Sequence, residues 1–210
     1  MVKVMYVEAK RKGLELEVLD KEFEKLPDKL IVAYSVQYKE LAEKIKKKLL
    51  DNNKKVESFV QILGCSNIYN RKKLPVLLVS SGKFHARNLY LQAPIIYVLE
   101  GDRIIQINNN EIEKVEKERK VALMKFFNAS KVGIIVSTKP GQENMNYALK
   151  LKKKIEKKFK DEKEVFLFVS DNIDVSQLEN FGMDSWVNTA CRGIVLDKTN
   201  VVNYDELNNL

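Results

Sequence analysis

The chain of 210 residues is long enough for one large domain or two small ones. Its hydrophobic fraction of 45% is that of a globular protein and excludes a disordered chain. No apolar run approaches the roughly 20 residues of a membrane span, and the N-terminus lacks the apolar stretch of a signal peptide. Two cysteines are too few for a disulfide scaffold, which fits a reducing compartment. We therefore expect a cytoplasmic protein with no membrane segment.

The net charge of +8 comes mainly from lysine runs at residues 44–48 and 150–160. Apolar residues interleave both runs at helical spacing, which predicts the solvated face of an amphipathic helix. The predicted buried positions are Leu41, Ala42, Ile45 and Leu49 in the first helix and Ala148, Leu151, Ile155 and Phe159 in the second. Nucleic-acid binding is not expected, because no arginine cluster or aromatic stacking motif accompanies the lysines.

In chain order, the sequence predicts β-strands that alternate with helices. Two strand-like pieces, residues 2–7 and 14–19, are left unassigned. Seven β-rich blocks follow, at residues 29–34, 56–61, 75–80, 94–99, 132–137, 164–169 and 186–189. A third helix, over residues 111–127, carries on one face Ile112, Val115, Ala122, Leu123 and Phe126.

This alternation predicts an α/β fold of two similar domains, each a small, mainly parallel sheet flanked by helices. The polar run at residues 107–110 separates a first domain, residues 1–110, from a second, residues 111–210. Each half has a buried strand, a lysine-faced helix and a second β-rich block in the same order. That order indicates an internal duplication of one module.

Each half also contains one cysteine, Cys65 or Cys191, placed after a β-rich block. In open α/β sheets, ligands bind beyond the carboxyl ends of the strands. The residues alone leave two interpretations open. Both thiols are inert and buried, as free cysteines often are, or both are thiolates that the fold brings to an iron–sulfur cluster.

Two further loops have unusual content. The only histidine, His85, lies where a strand passes into a turn and then a helix, and it is either a packing residue or a functional one. Residues 137–142, Ser-Thr-Lys-Pro-Gly-Gln, join a strand to a helix. Their N–H groups hold a carboxylate or a similar anion, or the segment is a turn chosen for its geometry. Neither a phosphate-binding glycine motif nor a Cys-x-x-Cys pair is present.

Four motifs together resemble the archaeal diphthamide biosynthesis enzymes, the 2-(3-amino-3-carboxypropyl)histidine synthases. They are residues 61–65 (Gln-Ile-Leu-Gly-Cys), 81–85, 133–142 and 187–191 (Val-Asn-Thr-Ala-Cys), in the order and spacing of that family. The resemblance runs from about Lys29 to Asp197 and corresponds to the second and third of the family's three domains. Arg192 departs from the family pattern, in which a proline usually follows the cysteine.

The resemblance implies a transferase. Members of the family hold a 4Fe–4S cluster with one cysteine from each of three α/β domains. They transfer the 3-amino-3-carboxypropyl group of S-adenosylmethionine to a histidine of elongation factor 2 by radical chemistry. By this resemblance Cys65 and Cys191 are cluster ligands, no further catalytic residue is assigned, and the S-adenosylmethionine crevice is bordered by Ser81, Gly82, Lys139, Gly141 and Gln142.

The resemblance leaves the family's first cysteine without a counterpart in this sequence. We therefore expect a separately encoded N-terminal domain or a paralogous subunit to supply the third thiolate. That partner is expected to dock on apolar surface near residues 2–7 and 14–19. Two alternatives to a C-terminal part of the enzyme remain. One is a non-catalytic interaction subunit that holds elongation factor 2 or an active paralogue, and the other is a lysine-rich RNA-binding module.

Overall fold

The computed structural model describes residues 20–63, 68–81, 84–195 and 200–207, together with residues 5, 7, 9, 11 and 13. The chain divides into two units, Met1–Glu113 and Lys114–Leu210. Each is an α/β module in which helices flank a small, mainly parallel sheet, so the predicted fold class is confirmed. Within the described ranges, no helix is long and apolar enough to cross a membrane.

The described part of the first unit contains a five-stranded sheet. Its strands are β1 (Lys29–Tyr34), β2 (Lys55–Gln61), β3 (Val76–Val79), β4 (Ile96–Glu100) and β5 (Arg103–Gln106). Its helices are α1 (Asp20–Glu24), α2 (Lys39–Asp51) and α3 (Phe84–Leu89), with a 3₁₀ turn, Val36–Tyr38, before α2. The strand order is β2-β1-β3-β4-β5, and all neighbours are parallel except β5, which returns antiparallel to β4. The strand β5 follows a tight turn at Gly101, whose φ of +61° suits glycine.

The helix α2 buries the face that the sequence predicts. Its four apolar positions pack on alternate residues of β1, because helical and extended periodicities each place every such residue on one side. These core residues are Leu41, Ala42, Ile45 and Leu49 of α2 and Leu30, Val32 and Tyr34 of β1. The interleaved Lys44 and Lys47 are exposed. Burying each of the larger side chains contributes about 1.5–3 kcal/mol to the free energy of folding.

The described part of the second unit contains four parallel strands. They are β6 (Lys131–Ser137), β7 (Glu164–Ser170), β8 (Ser185–Asn188) and β9 (Val201–Asn203), in the order β7-β6-β8-β9. Two long helices accompany them, α4 (Asn109–Asn128) and α5 (Met145–Phe159). The boundary between the units follows Glu113, in the second turn of α4, and the predicted division at residue 110 lies three residues earlier. The connections include the 3₁₀ turns Val175–Phe181, Arg192–Val195 and Tyr204–Leu207.

The two sheets share one strand order, and β1 corresponds to β6. Alternate residues of both strands, Leu30 and Val32 in one and Val132 and Ile134 in the other, face the lysine-rich helix of their own unit. At one equivalent position, the two units place residue pairs with very different side-chain sizes.

The pair Ile31–Val76 in the first unit corresponds to Gly133–Trp186 in the second. A Cβ atom on Gly133 would lie 2.3 Å from Cζ3 of Trp186. The glycine therefore provides the space that the fully buried indole occupies.

Lys163 closes the C-terminal end of α4 from inside the protein. Its Nζ donates to the carbonyl oxygens of Phe126 at 2.9 Å, Phe127 at 2.8 Å and Ala129 at 2.5 Å. The same ammonium lies 4.7 Å from the ring centroid of Phe159. Burial lowers the pKa of Lys163. The lysine thus satisfies helix-end carbonyls that would otherwise be buried without donors.

Candidate functional site

The carboxyl ends of the four parallel strands in the second unit meet at one edge of its sheet, and Cys191 leaves from this edge. Cys191 follows Asn188, the last residue of β8, after Thr189 and Ala190. Its thiol forms no disulfide and is half-buried. Thr189 continues the pairing beyond the strand, because its N–H and its hydroxyl both donate to the carbonyl oxygen of Ile135, at 3.1 and 2.8 Å.

Asn188 fixes the loop that carries Cys191. Its fully buried amide donates to the carbonyl oxygen of Cys191 at 2.8 Å and to Oδ1 of Asn203 at 2.8 Å. Its own Oδ1 accepts a hydrogen bond from the N–H of Ala190 at 3.0 Å. The Cys191 carbonyl also accepts from the N–H of Ile194 at 3.1 Å. The main chain of Cys191 is therefore held from two sides, and its sulfur stays outside this network.

A buried ion pair supports the far side of the same loop. Arg119 of α4 binds Glu206 through two hydrogen bonds, of 2.8 Å from Nε and 2.6 Å from Nη2. Oε2 of Glu206 accepts from the N–H of Asn203 at 2.7 Å. Because Asn203 in turn accepts from Asn188, one chain of hydrogen bonds runs from Arg119 to the loop of Cys191. Bidentate arginine–carboxylate pairs are among the stronger hydrogen-bonded contacts in proteins.

Arg192, which departs from the family pattern, is bound to the same 3₁₀ turn as Arg119. It begins the turn Arg192–Val195 and pairs with Asp205. Asp205 and Glu206 are neighbours in the turn Tyr204–Leu207, so one short segment receives both arginines. Neither contact produces a periodic pattern in the sequence, because the partners are 13 and 87 residues apart.

The loop between β6 and α5 contains three of the predicted site residues. Lys139 is half-buried, whereas Gly141 and Gln142 are exposed. The N–H groups of Gln142 and Glu143 both donate to the carbonyl oxygen of Lys139, at 3.0 and 3.1 Å, and Gly141 has a φ of +79°. These N–H groups are engaged within the turn, which favours the geometric interpretation of the Pro-Gly segment over the anion-binding one.

In the first unit, two of the predicted residues are described, Ser81 shortly after β3 and His85 on α3. Ser81 is exposed, and His85 is half-buried on α3, where burial lowers the pKa of its imidazole. Cys65 and Gly82 lie outside the described residues. Residues 14–19 also lie outside them, and of residues 2–7 only Met5 and Val7 are described, both exposed.

Two serine hydroxyls at this edge were not singled out by the sequence. Ser35 follows β1 and Ser80 follows β3, and each is only 5% exposed. Throughout the described chain neither hydroxyl has a hydrogen-bond partner. Ser137, which ends β6 at the position equivalent to Ser35, is 1% exposed and its Oγ accepts from the N–H of Lys139 at 3.1 Å. The only sequence signal was the position of a serine directly after a buried strand.

The two cysteines follow different strands of the shared module. Cys191 comes after β8, a middle strand, whereas Cys65 lies in the segment between β2, an edge strand, and β3. The position after the middle strand in the first unit is taken by Ser80 and Ser81. Among the described residues, no group of three or more histidine, cysteine, aspartate or glutamate side chains comes together as a metal site.

A cleft of about 350 Å³ opens beside the carboxyl end of β7. It is lined by the apolar residues Ile135, Phe168, Leu178 and Phe181 and by polar residues such as Ser170 and Asn172. An apolar cleft with a few polar groups is typical of sites for small molecules. The cleft lies at β7 of the second unit. This strand corresponds to β2 of the first unit, which precedes Cys65 in the sequence.

Comparison with protein families gives a match to the model of diphthamide synthesis proteins over residues 1–206. Among curated proteins, the 2-(3-amino-3-carboxypropyl)histidine synthase of Pyrococcus horikoshii is 26% identical over 138 residues, which cover 65% of this chain and 40% of the synthase.

Among solved structures, Dph2 from Pyrococcus horikoshii with a 4Fe–4S cluster is 25% identical, with a TM-score of 0.74 over 89% of this chain and 58% of that one. A second Dph2 structure from the same organism is 24% identical with the same TM-score, and it bears on the fold alone. The chain therefore spans 40% of the length of this curated relative and 58% of the crystallised chains.

Proposed function

Because this chain belongs to the diphthamide synthesis family, we propose that it is part of a synthase that transfers the 3-amino-3-carboxypropyl group of S-adenosylmethionine to a histidine of elongation factor 2. We further propose that Cys65 and Cys191 each bind one iron of a 4Fe–4S cluster. The proposal draws on the synthase of Pyrococcus horikoshii and on the Dph2 structure with its cluster. When bound, such a cluster supplies the electron for the reductive cleavage of S-adenosylmethionine.

The observation that carries the proposal is the setting of Cys191. Its thiol is half-buried at the carboxyl edge of a parallel sheet, in a loop whose main chain is fixed by Asn188 and by the N–H of Ile194. Thiolates are the usual ligands of iron–sulfur clusters. A loop that is already ordered presents its sulfur without further ordering when the metal binds. The donor chemistry and the position of Cys191 therefore fit one corner of a cluster.

We propose that the polar network behind Cys191 positions this ligand. Asn188, Asn203 and the Arg119–Glu206 pair hold the main chain, and none of them uses the sulfur. Hydrogen bonds behind a metal ligand orient the ligand and tune the metal. We assign these residues to positioning and leave the role of catalytic residue unassigned in this chain.

The residues proposed to border S-adenosylmethionine follow strands of both units in the sequence, Ser81 and Gly82 in the first and Lys139, Gly141 and Gln142 in the second. The apolar cleft beside β7 offers a surface of the kind that excludes water from a ligand. Two cysteines in these 210 residues leave one cluster ligand to come from protein outside them. An N-terminal domain or a paralogous subunit is the proposed source.

Anaerobic reconstitution tests the cluster assignment directly. The chain is loaded with iron and sulfide, with excess 2-mercaptoethanol as the missing thiolate, and iron content and visible absorbance are measured. Cys65→Ser and Cys191→Ser should each reduce bound iron to the background level, because each removes a protein ligand. Lys48→Ala, on the exposed face of α2, should bind iron as the wild type does. Full loading of Cys191→Ser would contradict the assignment.

The same preparation separates the alternatives. Binding of elongation factor 2 with no iron uptake would favour the non-catalytic interaction subunit. Binding of RNA with a steep dependence on salt, again without iron, would favour the lysine-rich RNA-binding module.

A further inference from the structure

We propose that the hydroxyls of Ser35 and Ser80 bind the carboxylate of the aminocarboxypropyl group of S-adenosylmethionine. This inference rests on the proposed function for the identity of the ligand. Its structural basis is separate, because it depends on two buried hydroxyls without partners rather than on the cysteines. It adds a contact for the part of the co-substrate that the synthase transfers.

Ser35 and Ser80 are neighbours at the end of two paired strands. In the parallel pairing of β1 with β3, Tyr34 is opposite Val79, and the N–H of Ser35 donates to the carbonyl oxygen of Val79 at 3.2 Å. Ser35 and Ser80 are therefore the residues that directly follow the last pair of this ladder. Neighbouring strands lie about 4.8 Å apart, so the two residues are one strand spacing from each other.

The side chains of Ser35 and Ser80 project from the same face of the sheet. Tyr34 and Val79 belong to the core that packs on α2. Side chains alternate along a strand, so Ser35 and Ser80 project from the opposite face. The pair lies just beneath the surface, because the next residue, Ser81, is exposed.

Neither hydroxyl bonds to the nearby main-chain groups that usually serve as its partners. Ser35 is at the position that caps the 3₁₀ turn Val36–Tyr38, where serine commonly accepts from a main-chain N–H, yet its side chain makes no capping bond. A buried hydroxyl without a partner destabilises a protein and calls for a water, an ion or a ligand. The equivalent Ser137 of the second unit does have a partner, so the missing bond is not a property of the module.

The groups around the two serines favour a carboxylate as the ligand. The neighbouring carbonyl oxygens are engaged, that of Tyr34 by the N–H of Ile62 at 2.8 Å and that of Val79 by Ser35. Each serine hydroxyl can donate one hydrogen bond, and an O–H donor gains most from an anionic acceptor. Two hydroxyls one strand spacing apart match the two oxygens of a carboxylate. S-adenosylmethionine carries a single carboxylate, in its aminocarboxypropyl group.

The test compares the wild-type chain with Ser35→Ala/Ser80→Ala. Without ligand, the double variant should melt about 2–4 °C higher, because it removes two buried donors that have no partner. Its dissociation constant for S-adenosylmethionine, measured by calorimetry, should rise about tenfold or more, because two hydrogen bonds are lost. Ser185→Ala is the matched control, since this fully buried serine donates to the carbonyl oxygen of Asn200 at 3.4 Å. It should melt lower and bind S-adenosylmethionine unchanged.

Decarboxylated S-adenosylmethionine sharpens the comparison. If the hydroxyls bind the carboxylate, this analogue should bind the wild type and the double variant equally. Equal binding of S-adenosylmethionine to both proteins would overturn the assignment, and so would failure of the wild-type chain to bind it. Reconstitution of the cysteine variants still tests the proposed function in either case, so the two failures are distinguishable.

Discussion

The first and second units place four parallel strands in the same order, but they treat the carboxyl edge of the sheet differently. In the second unit, Ser137 and Asn188 end neighbouring strands, and both have partners in the adjacent main chain. In the first unit, the hydroxyls of Ser35 and Ser80 have none among the described residues. One edge is completed by its own side chains, whereas at the other we propose that the carboxylate of a ligand binds the two hydroxyls. A repeated module can therefore keep its strand order and still assign different roles to its two edges.

The largest effect is expected where the second unit depends on its buried ion pair. Glu206→Gln should lower the free energy of unfolding by about 3 kcal/mol, because it leaves the Arg119 charge without its carboxylate in a buried setting. Chemical denaturation measures the loss, and hydrogen exchange locates it. Protection should fall in β8 and β9 and stay unchanged in β1 and β3.

A matched control uses an exposed carboxylate of the same unit. Glu156 pairs with Lys152 at 3.1 Å on α5 and is 41% exposed. Glu156→Gln should change stability by less than about 0.5 kcal/mol. Equal losses of unfolding free energy in Glu206→Gln and Glu156→Gln would mean that burial does not strengthen the pair of Arg119 with Glu206.

The next largest loss of stability is expected at the pair formed by Gly133 of β6 and Trp186 of β8. Gly133→Ala should destabilise the chain by about 2–3 kcal/mol, because the new methyl group would overlap the ring of Trp186. The first unit suggests the compensating change, since Ile31 and Val76 occupy the equivalent pair. In thermal unfolding, Gly133→Ile/Trp186→Val should be less destabilised than the sum of its single variants. If the losses of stability in the two single variants simply added, the pairs Gly133–Trp186 and Ile31–Val76 would not be equivalent.

The smallest effect concerns pH and the first unit only. Burial lowers the pKa of His85 below its ordinary value of 6.5. As pH falls below 6.5, the unfolded chain gains a proton that the folded chain does not, so stability decreases. Above that pH the imidazole is neutral in both states and has no effect.

The change due to His85 is at most about 1.4 kcal/mol per pH unit. Comparison of the wild type with His85→Gln between pH 7.5 and 5.5 isolates it. The variant should lose less stability on acidification. Parallel curves for the two proteins would show that burial leaves the imidazole unaffected.

These comparisons also indicate what the sequence predicts well. Periodic apolar patterns predict α2 and α5 and their buried faces, because Leu41, Ile45, Leu151 and Ile155 recur at helical spacing. The parallel strands were predicted from short β-branched runs. β5 and β9 were missed, since four and three residues carry too little pattern.

The candidate site was also predictable only in part. The motif around Cys191 indicates the edge of the sheet at which the thiol lies. The contacts of Arg119 with Glu206 could not be predicted, because they join residues far apart in the chain. Whether a serine hydroxyl such as that of Ser80 finds a partner depends on three-dimensional surroundings that composition does not encode.

The ammonium group of Lys163 has a consequence for chemical labelling. Eleven of the 31 lysines belong to the solvated runs at residues 44–48 and 150–160, which an acylating reagent reaches at once. Lys163 is 5% exposed, and its Nζ is engaged by three carbonyl oxygens. An amine in this position reacts only when its surroundings open. The rate at which Lys163 is acylated therefore reports how often the second unit opens around the end of α4, and the chain contains this reporter without any engineered label.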